Sequence, residues 1–461
     1  MRWIKVAILG LFLLPVGAKI GLFRAAVGNK ANIRPMSRGS LDSNSITASA
    51  SWNLYDPDPS NVCNRLYRSL YRREGPDGRE YGYDELDPLL WSGTKYLLIN
   101  PANQQAITIL DEFLSIHAER GIRDPLKRAT LQRDLWAIFD WTARAPIDTQ
   151  WKLDLQSKLA RAMNRVALSP DEIASLPATY SEGVKSKAFA TGYDPNKREQ
   201  PFLPPDILDP NGSWVSLSSG EGFPVAPAHV DSFSGKSVFL VFMRLPEGRE
   251  ATLKYLKKLS EIPTLRFRVG YTEFNTKLWI PDPETPASVR GNPNLPQFPA
   301  GTELALVREM VLIDNQGNFR PTNMIESVQI RVHRMVPSEI PQTFFSGASE
   351  TRTNMDTFEF ILSRPKLFAG QSGGLRPILP GERQFAFFQS HGIDWESKVA
   401  LTVCSTCHVG PGIYSVRSRG GDVVPASDPN QQANEAKQWK VRRYEWALLQ
   451  RLRQSEPVTF K

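Results

Sequence analysis

The chain has 461 residues, of which 41% are hydrophobic and 23% charged. That balance can bury a sizeable core and excludes a disordered or fibrous class, while three cysteines are too few for a disulfide-built scaffold. The net charge of +8 suits acidic protein partners or anionic surfaces, and without any nucleic-acid-binding motif no nucleic-acid partner is expected.

In chain order, the first element is an export signal. Arg2 and Lys5 precede the apolar stretch Val6 to Leu14, and small residues follow up to a cut expected after Ala18. The apolar run is shorter than the ~20 residues that span a bilayer, and Lys19 interrupts it. An uncleaved N-terminal anchor is the alternative; a lipid anchor is not expected, because no cysteine stands at the cut. No later segment resembles a membrane helix, so no stable membrane insertion is expected once residues 1–18 are removed. Residues 19–50 are small and polar and read as a flexible tether.

Residues 51–195 read as a helical domain. Asn100-Pro101, Asp124-Pro125 and Ser169-Pro170 each pair a capping side chain with a proline suited to the first helical position. Ile107, Leu110, Phe113 and Leu114 form one apolar stripe, which His117 is expected to share. Leu131, Leu135, Phe139 and Trp141 form a second, and Leu153, Leu155, Leu159 and Met163 a third. Cys63, the one cysteine apart from a C-terminal pair, is expected as a small buried hydrophobe.

Residues 196–340 read as a β-rich domain. Ser237 to Phe242 is a continuous apolar run, Thr264 to Tyr271 alternates strictly, and Glu303 to Ile313 leads through the turn Asp314-Asn315-Gln316-Gly317 to a strand carrying Val328, Ile330 and Val332. One helix, Arg249 to Ser260, interrupts these strands. In residues 341–461, Phe358, Phe360 and Leu362 alternate, Phe385 to Phe388 is apolar, and Asp394 to Val403 reads as a short helix. Asp428-Pro429 then opens a long, strongly basic terminal helix with Trp439, Tyr444, Leu448 and Leu452 on one face. The expected fold class is α+β: an N-terminal helical layer, a central antiparallel β-rich region and a C-terminal segment with a long terminal helix.

That last segment holds Cys404-Ser405-Thr406-Cys407-His408. Two thiols with two residues between them can add across the two vinyl groups of one haem, and the adjacent imidazole then lies under the iron. A structural disulfide, a redox dithiol and half of a zinc site are the alternatives. The pentapeptide resembles the haem-attachment motif of the c-type cytochromes. The resemblance implies one covalent haem c, thioether links at Cys404 and Cys407, and His408 as proximal iron ligand. It also makes 341–461 the haem-binding region and fits a periplasmic or otherwise exported protein, because bacterial cytochromes c receive their haem outside the cytoplasmic membrane.

A low-spin electron carrier needs a sixth iron ligand, usually Met or His. No Met or His follows His408, so that ligand comes from upstream or the iron stays open. His391 is nearest and is the candidate distal ligand; Met355 and Met335 follow, with core packing as their ordinary role. His333 alternates with Gln329 and Arg331 and reads as solvated or hydrogen-bonded, His117 as a packing residue, and His229, in a Pro-Ala loop, is uninformative. Gly410-Pro411-Gly412 permits a tight turn against the haem, and Arg417 and Arg419 are either propionate partners or solvated.

Two other motifs point nowhere. Gly370-Gln371-Ser372-Gly373-Gly374 matches a nucleophile pattern, but the Leu375-Arg376-Pro377 that follows opposes the required helix. Asp56-Pro57-Asp58-Pro59-Ser60 lacks the glycine and terminal Glu of a calcium loop, and Ser60 reads as an N-cap. The leading expectation is an exported single-haem electron-transfer protein with an acidic redox partner. One alternative is an open-site haem oxidoreductase or gas-binding protein, echoing the β-sheet cytochromes c′ in having strands before the motif, around Phe298 to Thr302. The other is a non-haem exported binding protein with a Cys404-Cys407 disulfide.

Overall fold

The computed structural model describes residues 52–74, 80–87, 96–98, 101–146, 149–219, 224–269, 272–275, 277–285, 288–336, 354–385, 397–401, 408, 411–416, 423–426, 428 and 430–454. The export signal, the tether, His391, Cys404, Cys407, Arg417 and Arg419 lie outside these residues. Ser51–Lys461 form one compact unit, and the fold is α+β.

Four helices build the N-terminal layer: α1 (Val62–Tyr71), α2 (Ala102–Ser115), α3 (Pro125–Arg144) and α4 (Gln150–Arg165). Asn61, not Ser60, caps α1 by accepting the Cys63 N–H at 2.8 Å, while Ser60 donates its hydroxyl to Asp58. Pro101 occupies the cap of α2 rather than its first turn, whereas Asp124 caps α3 as the Asp-Pro pair implies. α2 ends at Ser115, so His117 lies beyond it: its left-handed φ of 54° turns it off the apolar stripe to pair with Glu119. Cys63 is buried, and burial pushes its thiol up to about 12.

Two short helices follow, α5 (Pro170–Ala174), closed by a Ser169–Glu172 capping box, and α6 (Thr179–Lys185). α7 (Pro227–Ser232) and α8 (Arg249–Ser260) flank the first long central strand.

The sheet contains β1 (Val215–Ser218), β2 (Ser237–Arg244), β3 (Thr302–Ile313), β4 (Phe319–His333), β5 (Met355–Leu362), β6 (Leu375–Pro377) and β7 (Val424–Pro425). Every neighbouring pair is antiparallel, in the order β6-β5-β4-β3-β2-β1-β7. Period-2 alternation sorts the side chains. Phe242, Ala305, Val307, Val328, Ile330, Phe358 and Phe360 share a core with Leu168, Ile173, Tyr180 and Phe202. The register places Phe239 opposite Arg308, Val241 opposite Leu306, Leu306 opposite Gln329, and Leu304 opposite Arg331, on the other face. That second face carries the candidate site.

The helical layer joins the sheet through apolar and polar contacts. Leu110, Phe113, Leu135, Trp136 and Leu159 share a core with Val238, Val311 and Leu448. Fully burying a large apolar side chain contributes about 1.5–3 kcal/mol, so this seam is a main source of stability. Gln132 of α3 acts as a piece of strand, donating to the Ile313 carbonyl and accepting the Ile313 N–H, both at 2.8 Å. Beside it the buried Arg133 forks onto Glu326 at 2.6 and 3.0 Å.

Three segments depart from the sequence pattern. The alternating stretch 264–271 contributes only the strand Arg266–Val269, which pairs with Thr272–Asn275 in a separate hairpin, and Leu265 is exposed. Ser397–Val399 is a strand, not part of a helix, because it finds an antiparallel partner in Arg383–Phe385. The terminal helix is two helices, Gln431–Val441 and Tyr444–Gln454. The break sets Arg443 against Asp231 at 2.8 Å and over the Trp439 ring at 4.2 Å.

Candidate functional site

His408 is bonded to a turn that the rest of the chain holds tightly. Gly412–Ser415 is one buried 3-10 turn, and His408 Nδ1–H donates to the Ser415 carbonyl at 2.8 Å. A carbonyl can only accept, so this bond fixes the proton on Nδ1 and assigns any metal bond to Nε2, the usual division of labour in a ligand histidine. Arg331 of β4 reaches the same carbonyl at 3.5 Å.

Gln297 clamps the turn from the opposite side, donating to the Pro411 carbonyl at 3.2 Å and accepting the Ile413 N–H at 3.0 Å. Tyr414 donates to the Asn292 carbonyl at 2.8 Å and packs on Trp279. Gly412 has φ +54°, and a Cβ there would lie 2.2 Å from Gln297 Oε1, so glycine is required by conformation and by space. Pro411 and Gly412 thus open a tight turn.

The second component is α7. Pro227 starts it, and the left-handed pair Ser234 and Gly235 ends it, with the Gly235 N–H on the Val230 carbonyl at 2.8 Å. A Cβ on Gly235 would lie 2.7 Å from the Trp439 ring, and Lys440 Nζ donates to the Ser234 carbonyl at 2.8 Å. α7 is therefore held by the C-terminal helix on one side. On the other, Ala226, Val230 and Phe233 pack with Phe239 of the sheet. The Arg308 guanidinium lies 4.3 Å over the Phe233 ring.

α7 presents His229 to His408. The two imidazole rings are 15° from parallel with centroids 6.2 Å apart, and the His229 ring also lies 5.6 Å from Phe239. Both histidines are half-buried. Surrounding protein, then the charges of Arg331 and Arg308, push the His229 pKa down to about 4, so the ring is neutral at pH 7.

The other upstream candidates lie elsewhere. His333 is buried rather than solvated, its ring 4.9 Å from Phe298, and burial pushes its pKa down to about 3. Met355 is buried opposite His333 on β5, Met335 is exposed, and His117 lies in the helical layer against Glu119 and Arg165. Gly370–Gly374 is a loop ending in a 3-10 turn before β6. His229, which the sequence places in an uninformative Pro-Ala loop, lies instead on α7.

These residues fit a haem held at His408. They offer an Nε2-directed imidazole, a second parallel imidazole, and a buried aromatic wall. Among the described residues, no group of three or more His, Cys, Asp or Glu is placed to hold a metal ion, and no helix is long and apolar enough to cross a membrane. No family model matches the chain, and no curated protein or solved structure is similar to it.

Proposed function

We propose that the chain is an exported c-type cytochrome carrying one covalent haem and acting in electron transfer. The observation that carries this is the order Cys404-x-x-Cys407-His408 together with the Nδ1 bond of His408 to Ser415. Cys404 and Cys407 would hold the group through two thioether links, each formed by addition of S–H across one vinyl group, which balances without an oxidant. His408 would supply the iron with an imidazole nitrogen, and its bond to the Ser415 carbonyl orients the ring for that role. Bound haem supplies a one-electron iron couple. Phe239, Phe233 and Val230 supply an apolar wall, and the net charge of +8 supports an acidic redox partner.

Expression with cytochrome maturation machinery tests the proposal. Haem staining on a denaturing gel should follow the chain, and its absence from wild-type protein would remove the reading. N-terminal sequencing of the exported protein should begin near Lys19.

A further inference from the structure

We propose that His229 is the sixth ligand of the haem iron, opposite His408. The inference rests on the covalent-haem reading above and deepens it by deciding between a closed electron-transfer centre and an open one.

Two imidazoles that share one iron, each bond about 2 Å long and each bonded nitrogen about 1.1 Å from its ring centroid, have centroids about 6.2 Å apart. His229 and His408 are 6.2 Å apart and nearly parallel. The spacing suits two ligands on a common axis.

Each ring stands on backbone that its neighbours hold in place. His408 is oriented by Ser415, inside a turn clamped by Gln297. His229 sits on a six-residue helix fixed at its C-terminal end by Gly235, Trp439 and Lys440, and backed by Phe239 from the sheet. Ligand geometry held by neighbours on rigid elements lowers the cost of ordering the site when metal binds. His117, His333, Met335 and Met355 have the placements given above, on other elements and against other partners.

A bis-histidine iron has no vacant position. The protein would then pass electrons without binding carbon monoxide or oxygen at the metal, which separates it from the open-site alternative.

The test uses full-length protein matured with covalent haem, and compares electronic and electron paramagnetic resonance spectra of wild type, His229→Ala, His229→Met and His391→Ala. Wild type should be low-spin, with the signature of two nitrogen ligands and no methionine–iron charge-transfer band. His229→Ala should become high-spin and bind carbon monoxide, and added imidazole should restore the low-spin spectrum. His229→Met should gain the methionine band or turn high-spin, and His391→Ala should keep the wild-type spectrum. A haem-loaded wild type that is high-spin overturns the assignment, as does a low-spin spectrum lost in His391→Ala and kept in His229→Ala. If the alanine variant does not accumulate, the wild-type and methionine spectra still decide. Wild-type protein without haem sinks the covalent-haem reading itself, a result distinct from haem present with a different ligand.

Discussion

The Lys440 ammonium is fully buried and hydrogen-bonded to the Asp140 carboxylate, which ties the C-terminal helix to α3. The same ammonium donates to the Ser234 carbonyl at the end of the helix that carries His229. Burial outweighs the attraction of Asp140 and lowers the Lys440 pKa to about 8, so the ammonium still holds its proton at pH 7. One cation therefore joins the helical layer, the terminal helix and the candidate site.

Removing that cation leaves a buried carboxylate, with Lys236 4.0 Å away as its remaining cation partner among the described residues. Lys440→Met should destabilise the fold by about 3 kcal/mol. Lys440→Met combined with Asp140→Leu should recover most of the loss, because the pair is then replaced by apolar volume. Urea unfolding checks this; a single variant within about 0.5 kcal/mol of wild type would show that the pair is not coupled to the fold.

Gly412→Ala should disrupt the turn that orients His408. Left-handed backbone costs an alanine about 1–2 kcal/mol, and Gln297 must also move, which releases the Ile413 N–H and the Pro411 carbonyl. The expected outcome is a fall in haem incorporated per chain, read by the ratio of haem to protein absorbance. Wild-type incorporation and thermal stability in this variant would contradict the clamp.

His333 gives a pH prediction. Its Nε2 has no hydrogen-bond partner among the described residues, and burial first, then Arg331, holds the ring neutral down to about pH 3. The unfolded chain takes up this proton below about pH 6.5, so stability is present above that pH and is lost as pH falls toward 3. Between pH 8 and 5 the loss is about 2 kcal/mol. Burial raises Glu309 and Glu359 to about 7, which acts in the opposite direction, so the comparison must be with His333→Gln. Wild type should lose about 2 kcal/mol more than the variant over this range; equal slopes in denaturant unfolding would contradict it.

Local signals in the sequence found the elements that local chemistry determines. Asp124-Pro125 marks the start of α3, α8 spans Arg249 to Ser260 as its pattern implies, and the alternation of Val328, Ile330 and Val332 locates β4. Failures fall where a distant partner decides. Ser397–Val399 has a helical neighbourhood but takes a strand partner. Lys440 counts as one more charge on a basic helix until Asp140 buries it. His229 carries no local mark of its placement, because the ring it faces belongs to a segment distant in sequence. The proposed proximal residues stand together in one contiguous motif, whereas the opposite half of the candidate site is a product of the sheet, α7 and the terminal helix.

The most direct test of the account is the mass of the denatured, exported protein after maturation with cytochrome c machinery. The account predicts a chain beginning near Lys19 plus the mass of one haem, with the addition lost when Cys404→Ser and Cys407→Ser are combined. A wild-type chain at its unmodified mass, or lighter by the two hydrogens of a Cys404–Cys407 disulfide, would contradict it.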